Sequence, residues 1–161
     1  MNRPLVFDTA GLIALARLEL VVTAADHFGQ LLVPRAVLDE AMGESRPGSE
    51  SIQLAVDENT IRIIDPPHEQ PEQPSLSLGA GEIATIELAA RVGGVAVLDD
   101  RDARRVAHQR GLALTGTVAI LVRLKQIGAI GSLAETLAQL ESIGFRTTDE
   151  LRAWALEAAG E

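Results

Sequence analysis

Short apolar runs alternate with longer stretches of mixed polarity along the first 130 residues. The runs are predicted β-strands, because each is brief, aliphatic and bounded by polar or turn residues. They cover residues 4–7, 31–33, 60–65, 95–98 and 112–114. The stretches between them are predicted helices. The alternation predicts an α/β protein with a mostly parallel central sheet and helices on both faces.

The C-terminal part of the chain differs from the rest, because two consecutive helices and no strand are predicted there. Each begins at a capping-box pattern, a hydroxyl residue followed three positions later by Glu, at Ser132 and Thr147. Their apolar faces are expected to close the core, and a surface for a partner or a second copy of the chain is the alternative. We therefore predict a domain over residues 1–130 and a helical extension, 131–161, packed on it.

The composition excludes several kinds of site. The chain has no Cys, which excludes disulfides, thiolate metal sites and a cysteine nucleophile. Its three His residues show no metal-ligand spacing, so any metal would be held by oxygen, which favours Mg²⁺ or Mn²⁺. Three Phe, one Trp and no Tyr are too few for the aromatic platforms on which many proteins stack single-stranded bases.

Charge and hydropathy bear on partners and location. The formal net charge of −9 argues against general nucleic-acid binding, unless part of the acidic charge binds metal ions. An apolar-rich stretch over residues 12–22 is interrupted by Arg17 and Glu19, and no cleavage-like site follows it. We therefore predict no membrane span and no signal peptide, and expect a cytoplasmic protein.

Carboxylates lie where predicted strands end and where a predicted helix begins, and Glu40 lies on an amphipathic helix. In open α/β sheets, ligands bind outside the carboxyl ends of the strands, so these acids are expected to converge. Hard divalent cations need oxygen ligands, and clustered carboxylates are otherwise unfavourable. The acids that predict a metal site are Asp8, Glu40, Glu82, Asp99 and Asp100.

Each of these acids also has a structural interpretation. Asp8 could cap the first helix, Glu40 could be solvated, and Glu82 could interact only with the dipole of its own helix. Asp99 and Asp100 are harder to explain in this way, because only one of them can cap the helix that follows.

Basic residues share one face of the helix predicted after Asp100. Arg101, Arg104, Arg105 and His108 are spaced by three and four positions. Beside a metal site, such a stripe could hold a phosphate backbone. A solvated face that pairs with nearby acids is an equally good interpretation.

Two other site types fit poorly. A dinucleotide-binding loop at Gly79 and Gly81 lacks a directly preceding strand and a full glycine fingerprint. We expect these glycines instead to let the helix start approach the site closely. An aspartyl-phosphate phosphatase would need a second acid two residues after Asp8, where the chain has Ala10.

Four motifs resemble, in order, those of one branch of the PIN-domain nucleases. Residues 5–9, Leu-Val-Phe-Asp-Thr, resemble the opening strand, and residues 78–84 contain a Gly-x-Gly-Glu motif. Residues 97–104 contain Asp-Asp-Arg, and residues 111–117 end in Thr-Gly-Thr. The resemblance covers about residues 4–130.

The resemblance implies a three-layer α/β/α sandwich and a metal-dependent endoribonuclease that hydrolyses single-stranded RNA with Mg²⁺ or Mn²⁺. It also implies a toxin of a toxin–antitoxin pair, a small antitoxin partner and a homodimer. Asp8, Glu40 and Glu82 take three acidic positions, and either Asp99 or Asp100 takes the fourth. Other residues are implied to contact the substrate, namely Thr9, Thr117 and, through the basic stripe, Arg101, Arg104 and Arg105. A non-catalytic binding or regulatory protein on the same fold and a DNA nuclease remain alternatives.

Overall fold

A computed structural model gives the structure of residues 3–43, 46–67 and 77–161. In these ranges the chain forms five strands: β1 (Leu5–Phe7), β2 (Leu31–Pro34), β3 (Ile61–Ile64), β4 (Val95–Val97) and β5 (Ala113–Thr115). The same ranges form nine helices: α1 (Thr9–Arg17), α2 (Val21–Phe28), α3 (Arg35–Ala41), α4 (Ser49–Asp57), α5 (Ala80–Val92), α6 (Arg101–Gln109), α7 (Thr117–Gln126), α8 (Leu133–Ser142) and α9 (Asp149–Ala159).

The strands form one parallel sheet in the order β3-β2-β1-β4-β5. The central strand β1 pairs with β4, with Leu5 opposite Val95 and Phe7 opposite Val97. On its other side β1 pairs with β2, with Val6 opposite Leu32. Because every strand runs in the same direction, all five carboxyl ends lie at one edge of the sheet. This confirms the predicted α/β/α sandwich and its parallel sheet.

Both faces of the sheet are buried, which explains why its strands are almost continuously apolar. Successive side chains of a strand point to opposite faces, so Phe7 belongs to one hydrophobic cluster and Val6 to the other. β4 alternates in the same way, with Val97 on the side of Phe7 and Ala96 on the side of Val6. The larger cluster includes side chains of α1 and α7, and the smaller one includes those of α5 and α6.

The two C-terminal helices pack on α7 and contribute to the larger cluster through Leu133, Leu137, Leu140 and Ala155. The predicted cap of α8 is confirmed, because Ser132 Oγ accepts from the N–H of Glu135. The predicted cap of α9 is wrong by one residue: it is Thr148, whose hydroxyl accepts from Leu151, while the Thr147 hydroxyl donates to Glu141. The division of the chain at residue 130 stays a prediction.

Several helices begin at the carboxyl edge of the sheet. Helices α1, α3, α6 and α7 each begin within a few residues of the end of a strand. The start of α5 is held there by Thr85, whose buried hydroxyl lies 3.2 Å from the carbonyl oxygen of Phe7. None of the helices in the described ranges is long and apolar enough to cross a membrane.

The turn between α5 and β4 lies close to the start of β1, and this gives the first prediction. A Cβ added at Gly94 would lie 2.8 Å from the carbonyl oxygen of Pro4 and 3.1 Å from a methyl carbon of Val6. Since backbone cannot move aside cheaply, Gly94→Ala is expected to lower the free energy of unfolding by about 1–3 kcal/mol, measured by urea denaturation. Gly131→Ala is the matched control, because its Cβ would meet no atom within 4 Å. Equal stability of the two variants would contradict the prediction.

Candidate active site

The acidic residues converge on an open pocket of about 390 Å³ at the carboxyl edge of the sheet. Four carboxylates from separate segments of the chain contribute to its wall. Asp8 follows β1, Glu40 comes from α3, Glu82 from the first turn of α5, and Asp100 lies between β4 and α6. The other polar side chains of the wall are those of Thr9 and Arg46.

Asp8 is the deepest of the four carboxylates, with 3% of the residue exposed. It caps α1, since its Oδ1 accepts a hydrogen bond from the N–H of Gly11 at 2.9 Å. Burial raises the pKa of Asp8 to about 7, and the hydrogen bond from Gly11 opposes this effect. The negative charges of Asp99 and Glu82 raise the pKa further, so these acids are close enough to repel Asp8.

Glu40 connects two helix starts. Its Oε2 accepts a hydrogen bond from the hydroxyl of Thr9 at 2.5 Å, and its Oε1 accepts one from the N–H of Gly81 at 3.0 Å. A Cβ at position 81 would lie 2.7 Å from Glu40 Oε2, so only glycine allows this approach without displacing the carboxylate. The sequence interpretation of Gly81 as a residue of close approach is confirmed.

Glu82 keeps one oxygen without a partner. Its Oε1 accepts a hydrogen bond from the N–H of Gly79 at 3.2 Å, whereas Oε2 is buried and has no hydrogen-bond partner among the described residues. Burial raises the pKa of Glu82, and the neighbouring carboxylates of Asp100 and Glu40 raise it further. A buried carboxylate oxygen without a partner in an acidic pocket is unfavourable unless a proton or a cation binds there.

The adjacent acids at the end of β4 have different environments. Asp100 caps α6, because its Oδ2 accepts from the N–H groups of Asp102 and Ala103, both at 3.0 Å. Asp99 lies behind the pocket wall, where both its oxygens accept hydrogen bonds from Thr117, at 2.8 Å from the backbone N–H and 2.5 Å from the hydroxyl. Asp100 therefore lines the pocket, whereas Asp99 is bonded to Thr117 and is close enough to Asp8 to raise its pKa.

Burial raises the pKa of Asp99, and the hydrogen bonds from Thr117 and the charge of Arg104 oppose that rise. Thr117 is fully buried, and its hydroxyl donates a hydrogen bond to Asp99 rather than lining the pocket. Thr9 differs, since it lies on the pocket wall with its hydroxyl bonded to Glu40.

The basic stripe of α6 does not form part of the pocket wall. Arg104 donates to the carbonyl oxygen of Leu98 at 2.7 Å, and Arg105 is paired with Asp102 at 3.1 Å. Arg101 is exposed on the first turn of α6. The pocket arginine is instead Arg46, which the sequence analysis did not single out. The one available signal was its position in the polar turn directly after the helix that carries Glu40.

The donor set of the pocket fits a hard divalent cation. All of its acidic groups are carboxylates, Asp8 and Glu82 have raised pKa values, and Glu82 has an unpartnered oxygen. In the described parts of the chain, however, no three His, Asp or Glu side chains already form a group that could hold a metal ion. Each carboxylate of the wall is also bonded to an N–H group at a helix start.

The raised pKa of Asp8 predicts a pH-dependent stability. The folded state favours protonated Asp8 up to about pH 7, whereas the unfolded chain loses this proton near its ordinary value of 3.8. The contribution of Asp8 to stability is therefore present below pH 4 and is lost as the pH rises to about 7. With metal ions chelated, the free energy of unfolding of Asp8→Asn is expected to exceed that of the parent by about 2–4 kcal/mol at pH 8. At pH 4 the two proteins should have similar free energies of unfolding.

Urea denaturation in EDTA at both pH values measures this difference. Asp26→Asn, on the exposed side of α2 and outside the acidic cluster, is the control and should follow the pH profile of the parent. A parent chain that is as stable as Asp8→Asn at pH 8 would contradict the prediction.

Comparison with known proteins agrees with this geometry. The sequence model of the PIN domain matches residues 4–161, and no curated protein matches the chain. PIN domains are generally nucleases, typically use divalent metal ions, and often pair with antitoxins. The match extends over the sheet, the acidic pocket and the C-terminal helices, and the chain therefore belongs to the PIN-domain family of nucleases.

Proposed function

We propose that this protein is a divalent metal-dependent endoribonuclease that hydrolyses phosphodiester bonds of single-stranded RNA. The observation that carries the proposal is the convergence of carboxylates from four separate segments on one pocket wall. One of them has a buried oxygen without a partner, and another is buried with a pKa of about 7. Such a cluster is unfavourable for folding alone, which supports a role in binding a cation.

Three carboxylates of the wall are proposed to hold the ion: Asp8, Glu82 and Asp100. When bound there, Mg²⁺ or Mn²⁺ supplies positive charge that attracts the phosphate group and offsets the negative charge on the leaving oxygen. Asp99 is proposed as a positioning residue, since its bonds to Thr117 fix it beside Asp8. We propose Asp100 rather than Asp99 as the ligand, because Asp100 lines the pocket and Asp99 does not.

Glu40 is proposed to act on the attacking water. Hydrogen bonds from Thr9 and Gly81 fix the orientation of its carboxylate at the pocket wall, and a carboxylate oriented in this way can accept a proton from water. The described residues of the pocket wall include no Ser, Cys or His, and the hydroxyl of Thr9 donates its hydrogen bond to Glu40. We propose water, rather than this hydroxyl, as the nucleophile.

Single-stranded RNA is the proposed substrate, and its recognition is proposed to rest on the backbone. No aromatic side chain belongs to the described pocket wall, so base stacking has no platform there. DNA of the same sequence belongs in the test, because selection of RNA requires a contact to the 2′-hydroxyl group.

A role as the toxin of a toxin–antitoxin pair is proposed from the family, whose members often pair with antitoxins. A small antitoxin and a homodimer are the corresponding partners. Sedimentation of the purified chain, with and without the product of a neighbouring small gene, measures both assemblies.

The proposed nuclease activity predicts a loss of cleavage in three variants. Asp8→Asn, Glu82→Gln and Asp100→Asn are each expected to slow cleavage of a single-stranded RNA panel about 100-fold or more in Mn²⁺ or Mg²⁺. Asp102→Asn, two residues beyond Asp100 and outside the pocket wall, should cleave like the parent. Chelation of the metal should abolish cleavage by the parent. Undiminished cleavage by Asp8→Asn and Glu82→Gln would refute the proposal.

Metal binding can be measured separately from cleavage. At Mn²⁺ concentrations above Kd, the melting temperature of the parent is expected to rise with the logarithm of the Mn²⁺ concentration. The melting temperature of Glu82→Gln should change little. A metal-dependent shift without cleavage of RNA would indicate a non-catalytic binding protein on the same fold.

A further inference from the structure

Arg46 has an unusual position for a basic side chain. It lies between α3 and α4 and contributes to the wall of the pocket, where the other charged groups of the described residues are four carboxylates. It is nevertheless exposed and makes no ion pair or side-chain hydrogen bond with any residue in the described ranges. The guanidinium group is therefore available to a ligand, rather than used to neutralise the acids around it.

The arginines of α6 do not line the pocket. Arg104 is bonded to the carbonyl oxygen of Leu98, Arg105 is paired with Asp102, and Arg101 is exposed on the first turn of the helix. Arg46 is thus the basic side chain that lines the pocket among the described residues. A negatively charged ligand that enters an acidic pocket needs such a group at the rim, because four carboxylates repel it.

We propose that Arg46 binds a phosphate group of the RNA backbone next to the bond that is cut, so that the strand leaves the pocket past the start of α4. The assignment rests on the proposed function, since it concerns the substrate of the same site. A guanidinium group binds a phosphate through two parallel hydrogen bonds, which gives orientation as well as affinity. Arg46 would accordingly select ligands by their phosphate backbone and not by their bases.

An RNA strand bound by Arg46 would lie on a different side of the pocket from a strand bound by the basic stripe of α6. A strand held by α6 would run past the end of β4, toward Arg101 and Arg105. A strand held by Arg46 runs past the end of α3, next to Glu40 and over the start of α4. The two paths can be distinguished because each depends on different arginines.

The test measures how RNA binding depends on salt concentration. Neutralising one phosphate of a single strand contributes about −0.7 to the slope of log K against log salt. Binding of a fluorescent single-stranded RNA is measured by anisotropy over a salt series, with Ca²⁺ in place of Mg²⁺ or Mn²⁺ and intact RNA verified on a gel. The variants are Arg46→Ala, Arg46→Lys and Arg101→Ala, with Arg123→Ala, exposed on α7 and away from the pocket, as the control.

Arg46→Ala is expected to weaken binding about tenfold and to make the slope less negative by about 0.7. Arg46→Lys should restore the slope, because the charge is kept, but only part of the affinity, because the two parallel hydrogen bonds are lost. Arg123→Ala and Arg101→Ala should bind like the parent. In cleavage assays the effect of Arg46→Ala should fall mainly on KM.

An unchanged slope in Arg46→Ala, with a parent chain that binds and cleaves RNA, would overturn the assignment of Arg46 and leave the nuclease intact. A changed slope in Arg101→Ala but not in Arg46→Ala would place the strand along α6 instead. A parent chain that binds the RNA through Arg46 but never cleaves it would support the assignment and refute the nuclease. A parent that does not bind RNA would overturn both.

Discussion

The candidate site depends on one interaction, the hydrogen bond from an N–H group at a helix start to a carboxylate. Parallel strands place their following helices so that the helix starts meet at one edge of the sheet, where partial positive charge accumulates. That charge offsets part of the repulsion among the acids, by about 0.3–1 kcal/mol for each carboxylate. The pairs are Asp8 with Gly11, Glu40 with Gly81, Glu82 with Gly79, Asp99 with Thr117, and Asp100 with Asp102 and Ala103.

One carboxylate side chain can therefore cap a helix and also bind a ligand in the pocket. A carboxylate has two oxygens, and a cap needs only one of them. Glu82 shows the division most clearly, since Oε1 bonds to Gly79 and Oε2 has no partner among the described residues. The offset is incomplete, however, because burial still raises the pKa of Asp8, Glu82 and Asp99. The structural and functional interpretations of each acid are thus two aspects of one arrangement.

The sheet and the approximate place of the acids could be predicted from the sequence, because alternation of strands and helices determines which chain segments meet. The different positions of Asp99 and Asp100 could not, since they depend on Thr117, a distant residue whose N–H and hydroxyl orient Asp99. Helical spacing likewise shows that Arg104 shares a face with Arg101 but not that it bonds to the Leu98 carbonyl oxygen. Arg46 was missed because its place depends on the path of a turn, for which the sequence contains no periodic pattern.

The order of the strands in the sheet has a consequence for biosynthesis. β1 is made first, yet its partner β4 lies about ninety residues later in the chain, so that one edge of β1 stays unpaired while the intervening segments are made. Loop closure over such a distance is slow, and the acids at the end of β4 are still absent from the nascent chain during this period. A ribosome-bound fragment that stops short of Asp100 thus lacks part of the acidic cluster, and the pocket wall is complete only once synthesis has passed β4.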